Sequence, residues 1–268
     1  MAAKAAQIPE EPLLLRHDSG AVTTLTLNRP QQFNALSFAL LRELSKALDD
    51  MAKDRRARVV IIAGAGAAFC AGHDLKEMRA NRDREFLQSL FQLCTNVFLK
   101  IARVPQPVIA KVHGIATAAG CQMVAACDLA VASTAARFAT SGINVGLFCS
   151  TPGVALARNV PRKQAMEMLL TGEFIDAPTA LARGLINRLV EADKLDSETE
   201  SLARVICAKP AEVIATGKRA FYQQIEKTAE QAYGVAYQAL LDNLLADDAL
   251  EGLDAFFEGR QPRWGSKL

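Results

Sequence analysis

The chain changes character near residue 190, and that change constrains its fold more than any single motif. Up to that point short apolar runs recur at 13–16, 22–27, 59–63, 108–112, 129–132 and 185–190. Helical patterns separate them. The clearest places Leu36, Leu40, Leu44, Leu48 and Met51 on one face, with Arg42, Glu43, Lys46 and Asp50 elsewhere. A second runs from about Asp83 to Ala102. Strands alternating with helices predict an α/β architecture. Beyond it, Ala211 to Gln261 contains no proline and is dominated by helix formers. Three or more helices are expected there, with Gly234, Gly252 and Gly259 near their breaks or ends. The expected division is a core over 1–195 and a helical region over 196–268. The tail holds more apolar residues than an isolated helix pair can hide, so it packs on the body or on another subunit.

Composition removes several function classes. The 31 basic and 29 acidic residues give a net charge of +2, which leaves no electrostatic footprint for nucleic acid or an anionic membrane. The six cysteines show no C-x-x-C spacing and read as reduced, buried thiols. With three histidines, at 17, 73 and 113, no metal site is expected. The N-terminus lacks the apolar core of a signal peptide and is neither Arg-rich nor acid-free, as a transit peptide would be. The expected location is therefore cytoplasmic, with the mitochondrial matrix, after removal of a presequence, as the alternative. The uncharged stretch from Phe138 to Ala157 contains Ser141, Gly142, Asn144, Ser150, Thr151, Pro152 and Gly153, and reads as a loop lining a pocket rather than a membrane span.

Two segments carry the chemistry. One is Ala68-Phe69-Cys70-Ala71-Gly72-His73-Asp74-Leu75-Lys76-Glu77-Met78, the other His113-Gly114-Ile115-Ala116-Thr117-Ala118-Ala119-Gly120-Cys121-Gln122. Each follows an apolar run, and their small residues leave backbone N–H groups accessible. Two such donors aimed at one carbonyl oxygen stabilise the negative charge that develops on it. Residues 117–126 are small and helix-compatible, which places Ala119 at a helix N-terminus, where its N–H has no intrahelical partner and the dipole favours an anion. The competing explanation is close strand–helix packing that needs small residues for steric reasons alone.

An ordered series of motifs decides between them. Asn28-Arg29-Pro30 with Asn34-Ala35-Leu36 comes first, then the two segments above and Cys127-Asp128-Leu129-Ala130. Phe138-Ala139-Thr140, Gly146-Leu147, Pro152-Gly153, Leu170-Thr171-Gly172 and Arg183-Gly184-Leu185 follow. Over nearly the whole chain this series resembles the crotonase (enoyl-CoA hydratase/isomerase) superfamily. The resemblance implies a spiral of ββα units with a C-terminal helical trimerisation region, assembled as a homotrimer or a hexamer. It implies an acyl-CoA thioester as ligand and no separate cofactor, CoA entering as part of the substrate. By position, the backbone N–H groups of His73 and Ala119 form the oxyanion hole. The stretch His73, Asp74, Leu75 and Lys76 lines the adenosine end of CoA, with Lys76 near its phosphates. Phe257 and Arg260 approach CoA bound to a neighbouring subunit.

The sequence departs from the family pattern where acid–base chemistry is expected. The family's two glutamates fall at Gln122 and Gly142. Hydration needs a base to activate water and an acid to protonate the α-carbon; glutamine does not ionise and glycine has no side chain. An aspartate used by other members falls at Ser150, a poor base without a partner to activate it; its alternative role is in a loop capping the next helix. His73 is expected to act through its backbone, with its ring at the pocket wall, and Asp74 to fix the loop. His113 is expected to make a structural hydrogen bond, and Cys121 to lie buried behind the hole. The reading is a hydratase-like acyl-CoA-binding protein in which the standard two-glutamate hydration is not expected. A non-catalytic auxiliary binder and a slow acyl-CoA thioesterase are the alternatives.

Overall fold

The structure, a computed structural model, describes residues 11–265. Its main sheet grows from apolar runs that are buried on both faces. Strand β3 (Val59–Gly64) is buried at five consecutive positions, as a central parallel strand must be. The sheet has six strands in the order β1 (Leu14–Ser19), β2 (Val22–Leu27), β3, β5 (Val108–Val112), β7 (Leu129–Ser133) and β10 (Arg188–Val190). Only the β1–β2 pairing is antiparallel. A second sheet orders β4 (Ala68–Cys70), β6 (Ile115–Thr117), β8 (Arg137–Ala139) and β9 (Ile175–Asp176), with β4, β6 and β8 parallel and β9 antiparallel.

The two sheets are linked turn by turn. β3 runs into β4 and then into α2 (Leu75–Ala80) and α3 (Arg84–Arg103). β5 runs into β6 and α4 (Ala119–Ala126), and β7 into β8 and, through a 3-10 turn, α5 (Ser150–Leu156). Each turn moves one strand along in both sheets, which makes the chain a spiral of ββα units. The uncharged stretch 138–157 is absorbed into this third turn, and no described helix is long and apolar enough to cross a membrane.

Helix α1 (Phe38–Lys53) starts where Ser37 accepts the Leu40 N–H, and buries Leu40, Leu44, Leu48 and Met51 against the main core with α3. Leu36 lies outside that helix and has a different task, described below. After α6 (Arg162–Thr171) and α7 (Ala177–Ala182), helix α8 (Leu195–Cys207) covers the other face of the main sheet, packing Leu195, Leu202 and Ala203 on Val59, Ile61, Ile109 and Val131. This places α8 with the body, although the division expected after residue 195 puts it in the tail.

The tail proper is α9 (Ala211–Gln224), α10 (Ala229–Leu244) and α11 (Asp247–Glu258). Gly259 ends α11 in a left-handed conformation, but Gly234 and Gly252 lie inside helices, contrary to their expected place near helix ends. Neither α9 nor α10 has a fully buried residue. A polar clamp holds α9 instead. The Lys218 ammonium donates to the Ile101 and Gln106 carbonyls at 2.8 and 2.9 Å and to Asp128 at 2.6 Å, and the Tyr222 hydroxyl donates to Asp128 at 2.8 Å.

Candidate functional site

The parallel pairing of β4, β6 and β8 brings three chain exits side by side. His73 follows the first, Ala119 the second and Gly142 the third. Two glycines let the first two exits close on each other. A methyl carbon on Gly120 would lie 2.0 Å from the Cys70 carbonyl oxygen. One on Gly72 would lie 2.9 Å from the Ala118 Cβ and 3.3 Å from the Ala119 nitrogen, and Gly72 also has a φ of 93°.

The backbone pairing leaves both expected donors free. The Leu36 N–H donates to the Gly72 carbonyl at 2.7 Å, and the Asp74 N–H donates to the Leu36 carbonyl at 3.1 Å. This bridge brackets His73 without using it, so its N–H meets no acceptor among the described residues. Ala119 is the first residue of α4, and its N–H likewise has no acceptor there. The preceding Ala118 adopts φ 50° and ψ −118°, rare for a residue with a Cβ, and its N–H is held by the Ala139 carbonyl at 3.0 Å. The helix dipole adds to the attraction for negative charge at this point.

A polar frame fixes the His73 loop. Asp74 caps α2, accepting the N–H groups of Lys76 and Glu77, and pairs with the Arg29 guanidinium at 2.9 Å. Burial opposes ionisation of Asp74, but the Arg29 and amide hydrogen bonds hold its carboxyl below the usual range. Arg29 also donates to the Ala35 carbonyl. The Asn34 amide donates to the Ala65 and Ala68 carbonyls at 2.8 and 2.7 Å, tying the first motif to β4. Glu77 accepts the Phe38 N–H, joining α2 to the start of α1. The Asn-Arg-Pro…Asn-Ala-Leu motif thus serves as the brace of the His73 loop, a role that its sequence alone does not reveal.

The His73 ring packs edge-on against Phe91 at 5.3 Å between centroids. Burial pushes its pKa down to about 4, and its Nε2 is buried without a partner. The His113 ring bonds the Gly66 carbonyl at 2.8 Å. Cys121 is buried, its thiol pushed up to about 12 by desolvation.

Gln122 stands about one helical turn beyond Ala119, so both lie on one face of α4. It is buried, and its Oε1 has no partner. Gly142 leaves no room for a larger residue: a methyl there would lie 2.5 Å from the Leu147 carbonyl and 2.8 Å from the Cys149 sulfur. Thr140 is fully buried, and its hydroxyl has no partner. Ser150 begins α5, as a capping segment would, but it is exposed. Among the described residues its hydroxyl reaches only the Phe148 carbonyl, at 3.5 Å, and no acid or histidine there activates it.

Leu75 and Lys76 are exposed on α2, open to a ligand arriving at the His73 loop. The exposed Phe257 has no part in this chain's own core. Arg260 is paired within its own chain. Its guanidinium is already engaged by both Glu251 oxygens, at 2.6 and 3.0 Å, and by Glu258. These carboxylates raise its pKa, and the same pairing lowers Glu251 to about 2. A phosphate would have to displace them. Two cavities, of about 540 and 280 Å³, lie beside the tail, and neither is lined by His73, Ala119, Gln122 or Gly142.

Known proteins place this geometry. Residues 17–267 match the family model described as enoyl-CoA hydratase/isomerase. With that match and its spiral of ββα units, the chain belongs to that family. Among its relatives, enoyl-CoA hydratase domain-containing protein 3, mitochondrial, of Xenopus laevis is 46% identical over 253 residues, covering 94% of this chain and 86% of that protein. The Homo sapiens protein of that name is 46% identical over 243 residues, covering 91% and 80%. The crystal structure of the human protein superposes with a TM-score of 0.92 at 44% identity, over 94% of this chain and all of that one. An enoyl-CoA hydratase from Mycobacterium smegmatis superposes with a TM-score of 0.94 at 57% identity, over 96% of this chain and all of that one. The vertebrate relatives are named as mitochondrial, which agrees with the alternative location and gives the cytoplasmic expectation no support.

Proposed function

We propose that this protein binds an acyl-CoA thioester with its carbonyl oxygen between the N–H groups of His73 and Ala119. One observation carries the reading: two unpartnered N–H groups stand at adjacent strand ends, drawn together by Gly72 and Gly120. Charge that develops on the thioester oxygen is stabilised there by the two N–H groups. His73, Asp74, Leu75 and Lys76 form the edge over which CoA lies, and Phe257 of a neighbouring copy closes it.

Standard hydration is not the chemistry of this site. Gln122 and Gly142 occupy the places of the two glutamates, and neither takes or gives a proton. The neutral His73 acts through its backbone. A second reading, slow thioester hydrolysis, is favoured by the unpartnered Gln122 carbonyl, which is able to position a water. An auxiliary role with binding alone needs no further group. Incubation with a panel of acyl-CoA thioesters, followed by mass spectrometry, separates the three. Gain of water marks hydration, release of free CoA marks hydrolysis, and neither with retained binding marks an auxiliary protein. Binding of none of them sinks the reading.

The assembly in this reading is a homotrimer or hexamer, supported by the apolar residues that the tail leaves exposed, among them Tyr233, Leu245 and Phe256. The names of the vertebrate relatives support a matrix location, which fractionation of the source cells tests.

A further inference from the structure

The His73 N–H ends a chain of hydrogen bonds that begins on a largely buried cation. A planar trans peptide holds its C=O and N–H on opposite edges, so whatever grips the carbonyl also aims the N–H. The His73 N–H shares its peptide with the Gly72 carbonyl, which accepts the Leu36 N–H at 2.7 Å. The Leu36 N–H shares its peptide with the Ala35 carbonyl, and that carbonyl accepts from Nη1 of Arg29. The described residues contain no cis peptide, so both units have this form. The path runs from the guanidinium through the Ala35–Leu36 peptide and the Gly72–His73 peptide to the open N–H of His73.

The same guanidinium holds the far side of His73. Its Nη2 donates to Asp74 Oδ2 at 2.9 Å, while Asp74 Oδ1 accepts the Lys76 and Glu77 N–H groups at 3.1 and 3.2 Å. Arg29 therefore grips the residues beside the Leu36–His73 bridge on both strands, Ala35 on one and Asp74 on the other. Arg29 is itself fixed: its N–H donates to the Asn34 side chain and its carbonyl accepts the Asn34 N–H, both at 2.9 Å. The Arg29 and Asp74 side chains are 15% and 13% exposed, so salt and water screen them little. Asp74 offsets part of the cation's charge, but the Nη1 branch leads into the peptide chain. Hydrogen bonds in such a chain polarise one another, and one that starts on an ion is stronger. Ala119 has the dipole of α4 behind it, whereas His73 lies outside any helix. Arg29 supplies the charge that the His73 donor otherwise lacks.

We propose that Arg29 is a positioning residue for the oxyanion hole, its guanidinium aiming and polarising the His73 N–H through the Ala35–Leu36 and Gly72–His73 peptides. The inference rests on the thioester reading above and assigns what strengthens one of its two donors. Its effect is confined to ligands that place a carbonyl oxygen at the hole. A brace that served the fold alone would change stability, and would weaken ligands with and without that oxygen alike.

The test uses the full chain and two ligands that differ at one position. Acetoacetyl-CoA carries the thioester carbonyl; S-(3-oxobutyl)-CoA has a CH2 group there and is otherwise the same. Affinities are measured by calorimetry, and the enolate fraction of bound acetoacetyl-CoA by its ultraviolet band. The native protein is compared with Arg29→Lys and with the double variant Arg29→Met, Asp74→Asn. The double variant leaves no buried charge without its partner, and melting curves show which variants fold. The native protein is expected to prefer acetoacetyl-CoA. In the double variant that preference should fall by about 10-fold, less than the roughly 10²–10³-fold of a donor removed outright, because the N–H itself remains. The enolate band should weaken with it. Arg29→Lys keeps the charge but loses the fork, and its preference should fall by less. A folded variant of either kind that keeps the native preference overturns the proposal, and so does an equal loss for both ligands; the thioester reading stands in both cases. Native protein that binds the two ligands equally, or binds neither, overturns that reading as well.

Discussion

Gly120 sits so close to Cys70 that a methyl group on it would lie 2.0 Å from the Cys70 carbonyl oxygen. This contact joins the start of α4 to the end of β4, and in the proposed site it sets the separation of the His73 and Ala119 N–H groups. Gly120→Ala forces the strand and the helix apart. Overpacking of this kind costs roughly 1–3 kcal/mol, and the donors lose their common target. The variant is expected to melt lower and to lose affinity for acetoacetyl-CoA. Native affinity in the variant, measured by calorimetry, would show that the hole does not depend on this approach.

The His73 loop should give the protein a recognisable acid limb. Asp74 is held below its usual pKa when folded. Its contribution is complete above the ordinary carboxylate value and is lost as pH falls through the lower folded value. His73 acts in the same direction at higher pH. Burial lowers it from 6.5 to about 4, so as pH falls through that window the unfolded chain takes up a proton that the folded chain refuses. Stability is therefore expected to fall from pH 6.5 toward 4, and His73→Leu to flatten the curve there. Asp74→Asn should cost roughly 1.5–3 kcal/mol at neutral pH, the worth of a charge-assisted hydrogen bond. Denaturant titrations across the pH series check both, and curves parallel to the native one would contradict the assignment.

Crotonyl-CoA should be hydrated very slowly. Loss of each general acid or base lowers a rate by about 10²–10⁴-fold, and two positions are affected. Restoring both glutamates is not sterically open, because Gly142 is crowded by the Leu147 carbonyl and the Cys149 sulfur. Gln122→Glu is open, since Gln122 already has the length of glutamate. It is expected to raise hydration above the native rate without reaching that of a two-glutamate enzyme. A native turnover equal to that of an efficient hydratase, followed spectrophotometrically, would show that other groups replace the carboxylates.

Much of this was legible along the chain, and what was not has physical causes. The five longer strands announce themselves by their apolar runs, and helices α1 and α3 by apolar periodicity. Strands β4, β6, β8 and β9 are two or three residues long, too short for any period, yet β4, β6 and β8 lead into the proposed site. Small residues located Ala119 at a helix start. No local signal pairs Arg29 with Asp74, 45 residues away, or sets Leu36 against His73. The Cys149 sulfur reaches Gly142 only because the 3-10 turn and Gly146 fold the segment back on itself. Gly234 and Gly252 misled because the tail helices run through them.

The tail should be needed for assembly and anchored through Lys218. Phe256 and Phe257 are 79% and 78% exposed, and Leu245 86%, a surface that the proposed assembly would cover with a second copy. Removing the chain after Pro210 is expected to cause aggregation or loss of assembly. Lys218→Met leaves Asp128 facing the Tyr222 hydroxyl and the Val108 N–H without its cation, and loss of one member of a buried pair costs roughly 3–5 kcal/mol. Light scattering on the intact protein decides the first point: a trimer or hexamer is expected, and a clean monomer at micromolar concentration refutes it.

The central claim is that His73 and Ala119 hold a thioester oxygen. Acetoacetyl-CoA, whose enolate form carries negative charge on that oxygen, is the ligand that rewards such a hole most. Titrated calorimetrically into the native protein, it is expected to bind in the micromolar range, near −8 kcal/mol at about 1 μM. No heat, and no competition with other CoA thioesters, at millimolar ligand would contradict the account.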